Sequence, residues 1–212
     1  MIVARRMARN PVVVDENDSM RRAMDIMKER GIRHLCVLKD GEKLVGVLSE
    51  RDIKQASPSS ATSLEIREIY YLLDKVKARQ IMTRRPYTIS PSAPIEEAAL
   101  IMREKKIGCL PVVEGGKLVG ILTETDILDA FIESMGVSGP GYRVELGLPD
   151  RIGMLFEVTK LLKDFETKIV SVATAAHAEP GMKTLILRLE TKNYKVLKAA
   201  LKKAGYEILS AD

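Results

Sequence analysis

Two stretches of this chain carry nearly the same sequence. Residues 7–53 read MARNPVVVDENDSMRRAMDIMKERGIRHLCVLKDGEKLVGVLSERDI, and residues 82–127 read MTRRPYTISPSAPIEEAALIMREKKIGCLPVVEGGKLVGILTETDI. Nineteen of the 46 aligned pairs are identical, with one residue dropped near the Gly41 and Gly116 turns. A repeated unit of this kind packs on its own copy, so we expect two like halves that meet at a seam where a ligand could bind.

The length and composition are typical of a globular protein. With 212 residues, 46% apolar and 30% charged, the chain has room for one or two domains with real cores. It has no apolar run long enough to span a bilayer, and its first residues, MIVARRMARNP, are too short and too charged for a signal peptide. Two cysteines give no disulfide framework and no zinc-binding spacing. We therefore expect a reduced, cytoplasmic protein with no membrane partner and no metal.

The net charge of +5 raises the question of nucleic acid as a partner. The basic surplus is spread thinly, with acids and bases interleaved and no basic run containing aromatic residues. A nucleic-acid binder concentrates its positive charge on one face, so this distribution argues against direct binding to DNA or RNA.

Each repeat predicts the same order of elements. A short strand precedes a helix, at residues 12–14 in repeat one and 87–89 in repeat two. Two strands joined by a glycine turn follow the helix, at 35–38 and 44–48 in repeat one and at 110–113 and 118–122 in repeat two. A second helix begins near Asp52 in repeat one and near Asp126 in repeat two. The first helix has an apolar stripe at i, i+3, i+4 and i+7, formed by Met20, Ala23, Met24 and Met27 and repeated by Ile95, Ala98, Ala99 and Met102. This order predicts a small α/β unit whose open sheet is covered by its twin.

The segment between the repeats predicts one additional structural helix. Residues 57–63 are a polar break, and Thr62 and Glu65 have the spacing of a capping box. The amphipathic run that follows consists of Ile66, Ile69, Tyr70, Leu73 and Val76.

A different pattern begins after Met135. Residues 136–141, GVSGPG, read as a linker, and alternation from Tyr142 predicts a strand. The next helix has a stripe of Leu155, Val158, Leu162 and Phe165, and the complete order is β-α-β-β-α-β, the ferredoxin-like arrangement. We expect domains at 1–56, 79–135 and 142–212, joined by a helical linker at 57–78 and a short one at 136–141.

Catalytic motifs are missing from the sequence. It contains no glycine-rich phosphate loop, no metalloprotease motif and no nucleophile elbow. Its two histidines, His34 and His177, fall in different predicted domains, and Cys36 and Cys109 lie in apolar strands where buried, inert thiols are common. We therefore expect no enzymatic activity and no catalytic residue.

One polar motif recurs at the seam. Residues 46–52 and 120–126 share the form Gly-x-x-Ser/Thr-x-x-Asp, at the end of a strand and the start of a helix. Ser49 and Thr123 could simply cap these helices. Helix N–H groups also favour a phosphate, and the aspartate could accept both hydroxyls of a ribose. Capping alone would leave Asp52 and Asp126 without a role, which favours ligand binding.

The repeats resemble CBS domains, which pair as a Bateman module, and the resemblance covers both repeats almost end to end. The last domain resembles an ACT domain, with Leu148-Pro-Asp-Arg-Ile-Gly-Met-Leu155 at its first strand–helix turn. The order CBS–CBS–ACT resembles the acetoin-utilisation protein B group. The fold class is therefore expected to be α/β (α+β), a Bateman module followed by a ferredoxin-like ACT domain.

The CBS resemblance implies adenine nucleotide or S-adenosylmethionine as a regulatory ligand between the repeats. It places ribose contacts on Asp52 and Asp126, and ribose or phosphate contacts on Ser49 and Thr123. The adenine pockets would be lined by Val47, Ile121, Ile32 and Ile107. Arg33 and His34 would meet phosphate in repeat one, whereas repeat two has Gly108 and Cys109 there. The two sites should therefore differ in their preference for phosphorylated ligands.

The ACT resemblance implies a homodimer and a small-molecule site, often for an amino acid, at Asp150 and Gly153. Ile152 stands where many amino-acid-binding members have proline, so a purely dimerising domain is the alternative. The resemblance implies a regulator of an unidentified protein that works by population shift. A ligand-free assembly adaptor and a nucleic-acid-linked regulator are the alternatives.

Overall fold

The protein is described from a computed structural model that covers residues 1–57 and 65–211, without the side chains of residues 66 and 211. It divides into two compact units, Met1–Leu128 and Asp129–Asp212, which are described separately. The helices are α1 Met20–Arg30, α2 Glu50–Ala56, α3 Ile66–Lys75, α4 Ala78–Ile81, α5 Ile95–Lys105, α6 Glu124–Ser134, α7 Met154–Asp164 and α8 Tyr194–Lys203, with a 3-10 turn at Val3–Arg5. The strands are β1 Ala8–Arg9, β2 Val13–Asp15, β3 His34–Lys39, β4 Lys43–Ser49, β5 Thr83–Arg84, β6 Cys109–Glu114, β7 Lys117–Thr123, β8 Tyr142–Pro149, β9 Lys168–Ala176, β10 Met182–Glu190 and β11 Glu207–Ala211.

The first unit contains two sheets, one for each repeat. Their strand orders are β2-β3-β4-β5 and β1-β7-β6. The mixed α/β prediction is confirmed. Repeat two differs at its first strand, because residues 87–89 contribute only a parallel bridge between Ile89 and Val112. The partner strand β6 has Pro111 where repeat one has Cys36, and proline cannot donate a ladder hydrogen bond, which accounts for the shorter pairing.

The repeats exchange their leading segments. Strand β1, at the start of repeat one, pairs with β7 of repeat two, and β5, at the start of repeat two, pairs with β4 of repeat one. Val3 is fully buried in the core of repeat two, and its N–H donates to Ala93 at 2.9 Å. Each sheet therefore includes chain from the other half.

The first helix of each repeat buries the predicted stripe. In α1, Met20, Ala23 and Met27 are buried, while Met24 packs against this core from a half-buried position. Ser19 caps α1 by accepting the Arg22 N–H at 3.2 Å. In α5, Ala98 and Met102 are buried in the core of repeat two and Ile95 packs against it, whereas Ala99 is half-buried outside that core.

The helix between the repeats packs on repeat one. It begins at Ile66, with Glu65 as the N-cap residue, and buries Leu73 in the same core as α1. The main-chain N–H of Glu65 donates to the Glu68 carboxylate at 2.9 Å. Thr62, the predicted capping residue, lies outside the described residues.

The second unit has the predicted β-α-β-β-α-β order, with the sheet β11-β8-β10-β9 and its core against α7 and α8. One predicted core position is wrong. Leu155 is 49% exposed, and Met154 takes its place in the core at 8%. Buried positions in α7 therefore fall at Met154, Val158 and Leu162, because a regular i, i+4, i+8 row needs Met154 rather than Leu155.

Candidate functional site

The seam between the repeats is an apolar cluster. Cys36 and Val47 from repeat one meet Cys109 and Ile121 from repeat two, and all four are buried. Burial raises the pKa of each thiol to about 12. The prediction that both thiols are buried is confirmed, and at neutral pH each is a protonated packing group.

The recurring motifs lie at one end of this seam. His34 pairs with Ser49 across β3 and β4, and Cys109 pairs with Thr123 across β6 and β7. Each pair therefore joins the first residue of one strand to the last residue of the next. The helices α2 and α6 begin directly after Ser49 and Thr123.

Each motif forms a reciprocal helix cap. In repeat one, Asp52 Oδ2 accepts the main-chain N–H of Ser49 at 2.8 Å and its hydroxyl at 2.6 Å, while Ser49 Oγ accepts the Asp52 N–H at 3.2 Å. In repeat two, Asp126 Oδ2 accepts both groups of Thr123 at 2.7 Å. The expectation that capping leaves the aspartates without a role is therefore wrong, because the carboxylate is half of the cap.

Each cap still leaves one carboxylate oxygen available. Within the described part of the chain, Oδ1 of Asp52 and Oδ1 of Asp126 accept no hydrogen bond, and both side chains are half-buried. A carboxylate oxygen in this position can accept a hydroxyl from a ligand while the other oxygen holds the helix.

The basic residues of repeat one reach repeat two. A Cβ placed on Gly108 would lie 3.1 Å from His34 Nε2 and 3.6 Å from Glu124 Oε2. Arg33 Nη2 donates to Thr125 Oγ1 at 3.4 Å. The glycine therefore makes room for the imidazole, and a Cβ at this position would require the ring to shift by a few tenths of an ångström.

The imidazole of His34 lies in a mixed electrostatic environment. Burial is the main cause that lowers its pKa below the ordinary value, and Arg33 acts in the same direction. Glu124 and Asp52 act in the opposite direction, which places one carboxylate from each repeat near this ring. Sequence reasoning missed Glu124 and Thr125, although their positions inside the second motif were a usable signal.

The predicted adenine-lining residues are not all brought together. Val47 and Ile121 meet in the seam cluster, each 8% exposed. Ile32 instead packs on the core of repeat one, and Ile107 on the core of repeat two.

A cavity of about 640 Å³ lies at the opposite end of the seam, beside the two glycine turns. Residues of both repeats line it: Asn10, Pro11, Val13, Leu38, Gly41, Glu42, Lys43, Gly115, Gly116, Lys117 and Leu118. None of the residues predicted to bind nucleotide is among them.

The predicted ACT site is an exposed turn. Asp150 lies 3.5 Å from Lys183, and Gly153, at a φ of 90°, is the N-cap residue of α7. Ile152 is fully exposed and Phe156 is 70% exposed. The turn therefore offers a carboxylate beside apolar side chains, with no enclosing wall from the described residues.

Two kinds of feature are absent from residues 1–57 and 65–211. They contain no group of three or more His, Cys, Asp or Glu side chains placed to hold a metal ion. None of their helices combines the length and apolar character needed to cross a membrane.

Known structures resemble about two thirds of this chain. A Vibrio cholerae protein assigned to acetoin utilization (AcuB) is 28% identical, with a TM-score of 0.53, covering 65% of this chain and 95% of that one. The CBS domain pair of protein MJ0100, solved with 5′-methylthioadenosine and S-adenosyl-L-methionine, is 26% identical with a TM-score of 0.52, covering 66% and 98%. CBSX2, an Arabidopsis thaliana protein solved in complex with AMP, is 30% identical with a TM-score of 0.51, covering 62% and 96%.

Relatives known from sequence include enzymes and a small CBS protein. Inosine-5′-monophosphate dehydrogenase of Korarchaeum cryptofilum is 35% identical over 120 residues, which are 56% of this chain but only 22% of that enzyme. A CBS domain-containing protein of Dictyostelium discoideum is 28% identical over 134 residues, 63% of this chain and 92% of that protein. The CBS family profile matches residues 3–59 and 78–133, and the TTHA0829-like ACT domain profile matches residues 140–211. This chain therefore belongs to the CBS-domain family, as a tandem CBS pair followed by an ACT domain.

Proposed function

We propose that this protein is a non-catalytic regulator that binds an adenine nucleotide or a related adenosyl ligand between its CBS repeats. The observation that carries the proposal is the pair of helix caps at one end of the seam. Each cap leaves a carboxylate oxygen, on Asp52 or Asp126, beside the start of a helix. The complexes of the MJ0100 pair and CBSX2 with adenosyl ligands support the same ligand class.

Binding of an adenine between the repeats requires the repeats to separate at this end of the seam. Val47 and Ile121 would contact the adenine, yet each is only 8% exposed. An adenine ring therefore has to part the repeats at this end to reach them. A ligand that binds the parted arrangement more tightly shifts the population toward it, and this change in orientation is the regulatory signal.

The test is calorimetric titration with AMP, ADP, ATP and S-adenosylmethionine. Asp126→Asn keeps an oxygen for the helix cap but loses the second acceptor for a ribose diol. It should weaken binding by about 1.5–3 kcal/mol, the scale of hydrogen bonds to a charged group. Thr123→Ser, which keeps both cap and hydroxyl, is the matched control. Unchanged affinity in folded Asp126→Asn protein would remove Asp126 from the site.

The helix caps also favour a second candidate, an assembly adaptor without a nucleotide. The caps account for Ser49, Thr123 and both aspartates by helix stabilisation alone. In that case none of the four ligands would raise the unfolding temperature. The ACT domain would then carry the function through homodimer formation, with an amino acid at Asp150 and Gly153 as a further possibility to titrate.

A further inference from the structure

The two helix starts at the candidate site differ in charge compensation. Glu50 and Glu124 are equivalent residues, and each is the first residue of its helix, α2 or α6. The main-chain N–H of Glu50 donates to Arg33, and that of Glu124 donates to Gly108, at 2.9 and 3.1 Å. Their backbones are therefore placed alike.

The carboxylate charges of Glu50 and Glu124 are not neutralised in the same way. Lys54, one turn along α2, forms an ion pair with Glu50 at 2.8 Å. The corresponding position in α6 is Leu128, which is 56% exposed. No ion pair involving Glu124 occurs among the described residues, so its negative charge is not neutralised by its own helix.

This charge lies beside the groups that would meet a ligand. Glu124 Oε2 and His34 Nε2 approach the same point above Gly108, and Asp52 also acts on His34 from repeat one. The lowered pKa of His34 keeps the ring neutral near pH 7, which leaves Arg33 as the cation of this group. Around His34, the carboxylates of Glu124 and Asp52 therefore act against the guanidinium of Arg33.

A carboxylate at the first helical position also counteracts the attraction of a helix start for anions. The partial positive charge at a helix N-terminus is about half an elementary charge, less than the full charge of Glu124. A polyphosphate entering here meets net repulsion, whereas a thioether meets none and a sulfonium is attracted.

On the proposed function, we infer that the α6 end of the seam selects adenosyl ligands with an uncharged or cationic 5′ substituent over nucleotides with several phosphates. Glu124 is the residue that sets this preference, and Leu128 preserves it by not supplying a counter-charge.

Calorimetry with 5′-methylthioadenosine, S-adenosylmethionine, AMP and ATP at low ionic strength tests the inference. Wild-type protein should bind the first two about tenfold more tightly than ATP. Glu124→Gln should tighten ATP binding about threefold to tenfold and leave 5′-methylthioadenosine within about twofold. Leu128→Lys, which restores the missing ion pair, should do the same. Glu50→Gln is the matched control and should change neither ligand.

Two results would overturn the inference while leaving the proposed function intact. One is wild-type protein that binds ATP as tightly as 5′-methylthioadenosine. The other is a Glu124→Gln effect of equal size on both ligands. Failure of all four ligands to bind would overturn the proposed function itself, and the inference with it.

Discussion

The carboxylate of Asp126 accepts both the main-chain N–H and the hydroxyl of Thr123, each at 2.7 Å. The same arrangement joins Asp52 to Ser49 in repeat one. These residues therefore stabilise helix starts in the free protein. Any measurement of ligand binding at the motif must separate that contribution from a direct contact.

Removing the capping hydroxyl should cost stability. Thr123→Val keeps the shape of the side chain but loses the hydroxyl that pairs with Asp126. We expect the free energy of unfolding to fall by about 1 kcal/mol, measured by urea unfolding followed by circular dichroism. Thr123→Ser should stay close to wild type. A loss in Thr123→Ser but not in Thr123→Val would show that methyl packing, rather than the cap, is responsible.

The close approach at Gly120 should make it intolerant of a side chain. A Cβ there would lie 2.7 Å from Met7 Sδ and 3.0 Å from the Ala8 carbonyl oxygen, because β1 crosses at this point. Gly120→Ala should lower the free energy of unfolding by about 1–3 kcal/mol. Gly139→Ala, whose Cβ would meet nothing closer than 3.7 Å, is the control. A neutral Gly120→Ala variant would mean that β1 can move away at little cost.

The seam cysteines should be unreactive and should make the protein sensitive to alkali. Burial raises the pKa of Cys36 and Cys109 to about 12, so the folded protein favours the neutral thiols. Their contribution to stability is complete below the ordinary thiol pKa of about 8.5 and is lost as pH rises toward 12. A thiol reagent at pH 8 should label neither residue until the protein unfolds. Rapid labelling of native protein would contradict the closed seam.

The stability should also fall on the acid side through His34. Its pKa is lowered in the folded state, mainly by burial, so the native protein favours the neutral ring. That contribution is present above the ordinary pKa of about 6.5 and is lost as pH falls through the lowered folded value. His34→Gln should reduce the difference in unfolding free energy between pH 7 and pH 5. An NMR titration that finds the His34 pKa raised would refute the assignment.

The predicted homodimer should depend on the ACT turn. Phe156 is 70% exposed and neighbours the fully exposed Ile152, an apolar surface suited to a second copy. Phe156→Glu should shift the protein toward monomer in analytical ultracentrifugation. Phe131→Glu alters a phenylalanine of 58% exposure on α6 and is the matched control. Dissociation by the α6 variant alone would move the interface away from the ACT domain.

The sequence predicted the elements well where a local pattern defines them. Alternation located β8, which begins at Tyr142, and helical spacing located the buried stripe of α1. The exchange of β1 and β5 was not predictable in this way. Two-residue strands carry no periodicity, and their pairing is decided by distant contacts such as Met7 against Gly120.

The sequence predicted which residues form the candidate site, but not which contacts those residues make. The repeated aspartates suggested a ligand because a one-sided cap by Ser49 or Thr123 leaves them without a partner, although the Ser/Thr-x-x-Asp spacing also fits a capping box. Arg33 was assigned to its own repeat, yet its side chain donates a hydrogen bond to Thr125 in the other one. Which repeat a side chain contacts depends on how the two sheets face each other. The sequence of one repeat alone does not determine how the sheets face each other.

The exchanged strands β1 and β5 determine what happens when the chain is cut between its repeats. Because each sheet is completed by the first strand of the opposite repeat, neither half can form its full ladder in isolation. The two repeats are arranged like a domain-swapped dimer of one-repeat chains, in which each chain has exchanged its N-terminal strand and the two chains are joined into one. A chain cut between the repeats should therefore reassemble as a tight complex of its fragments, whereas either fragment alone would present an unpaired strand edge and self-associate.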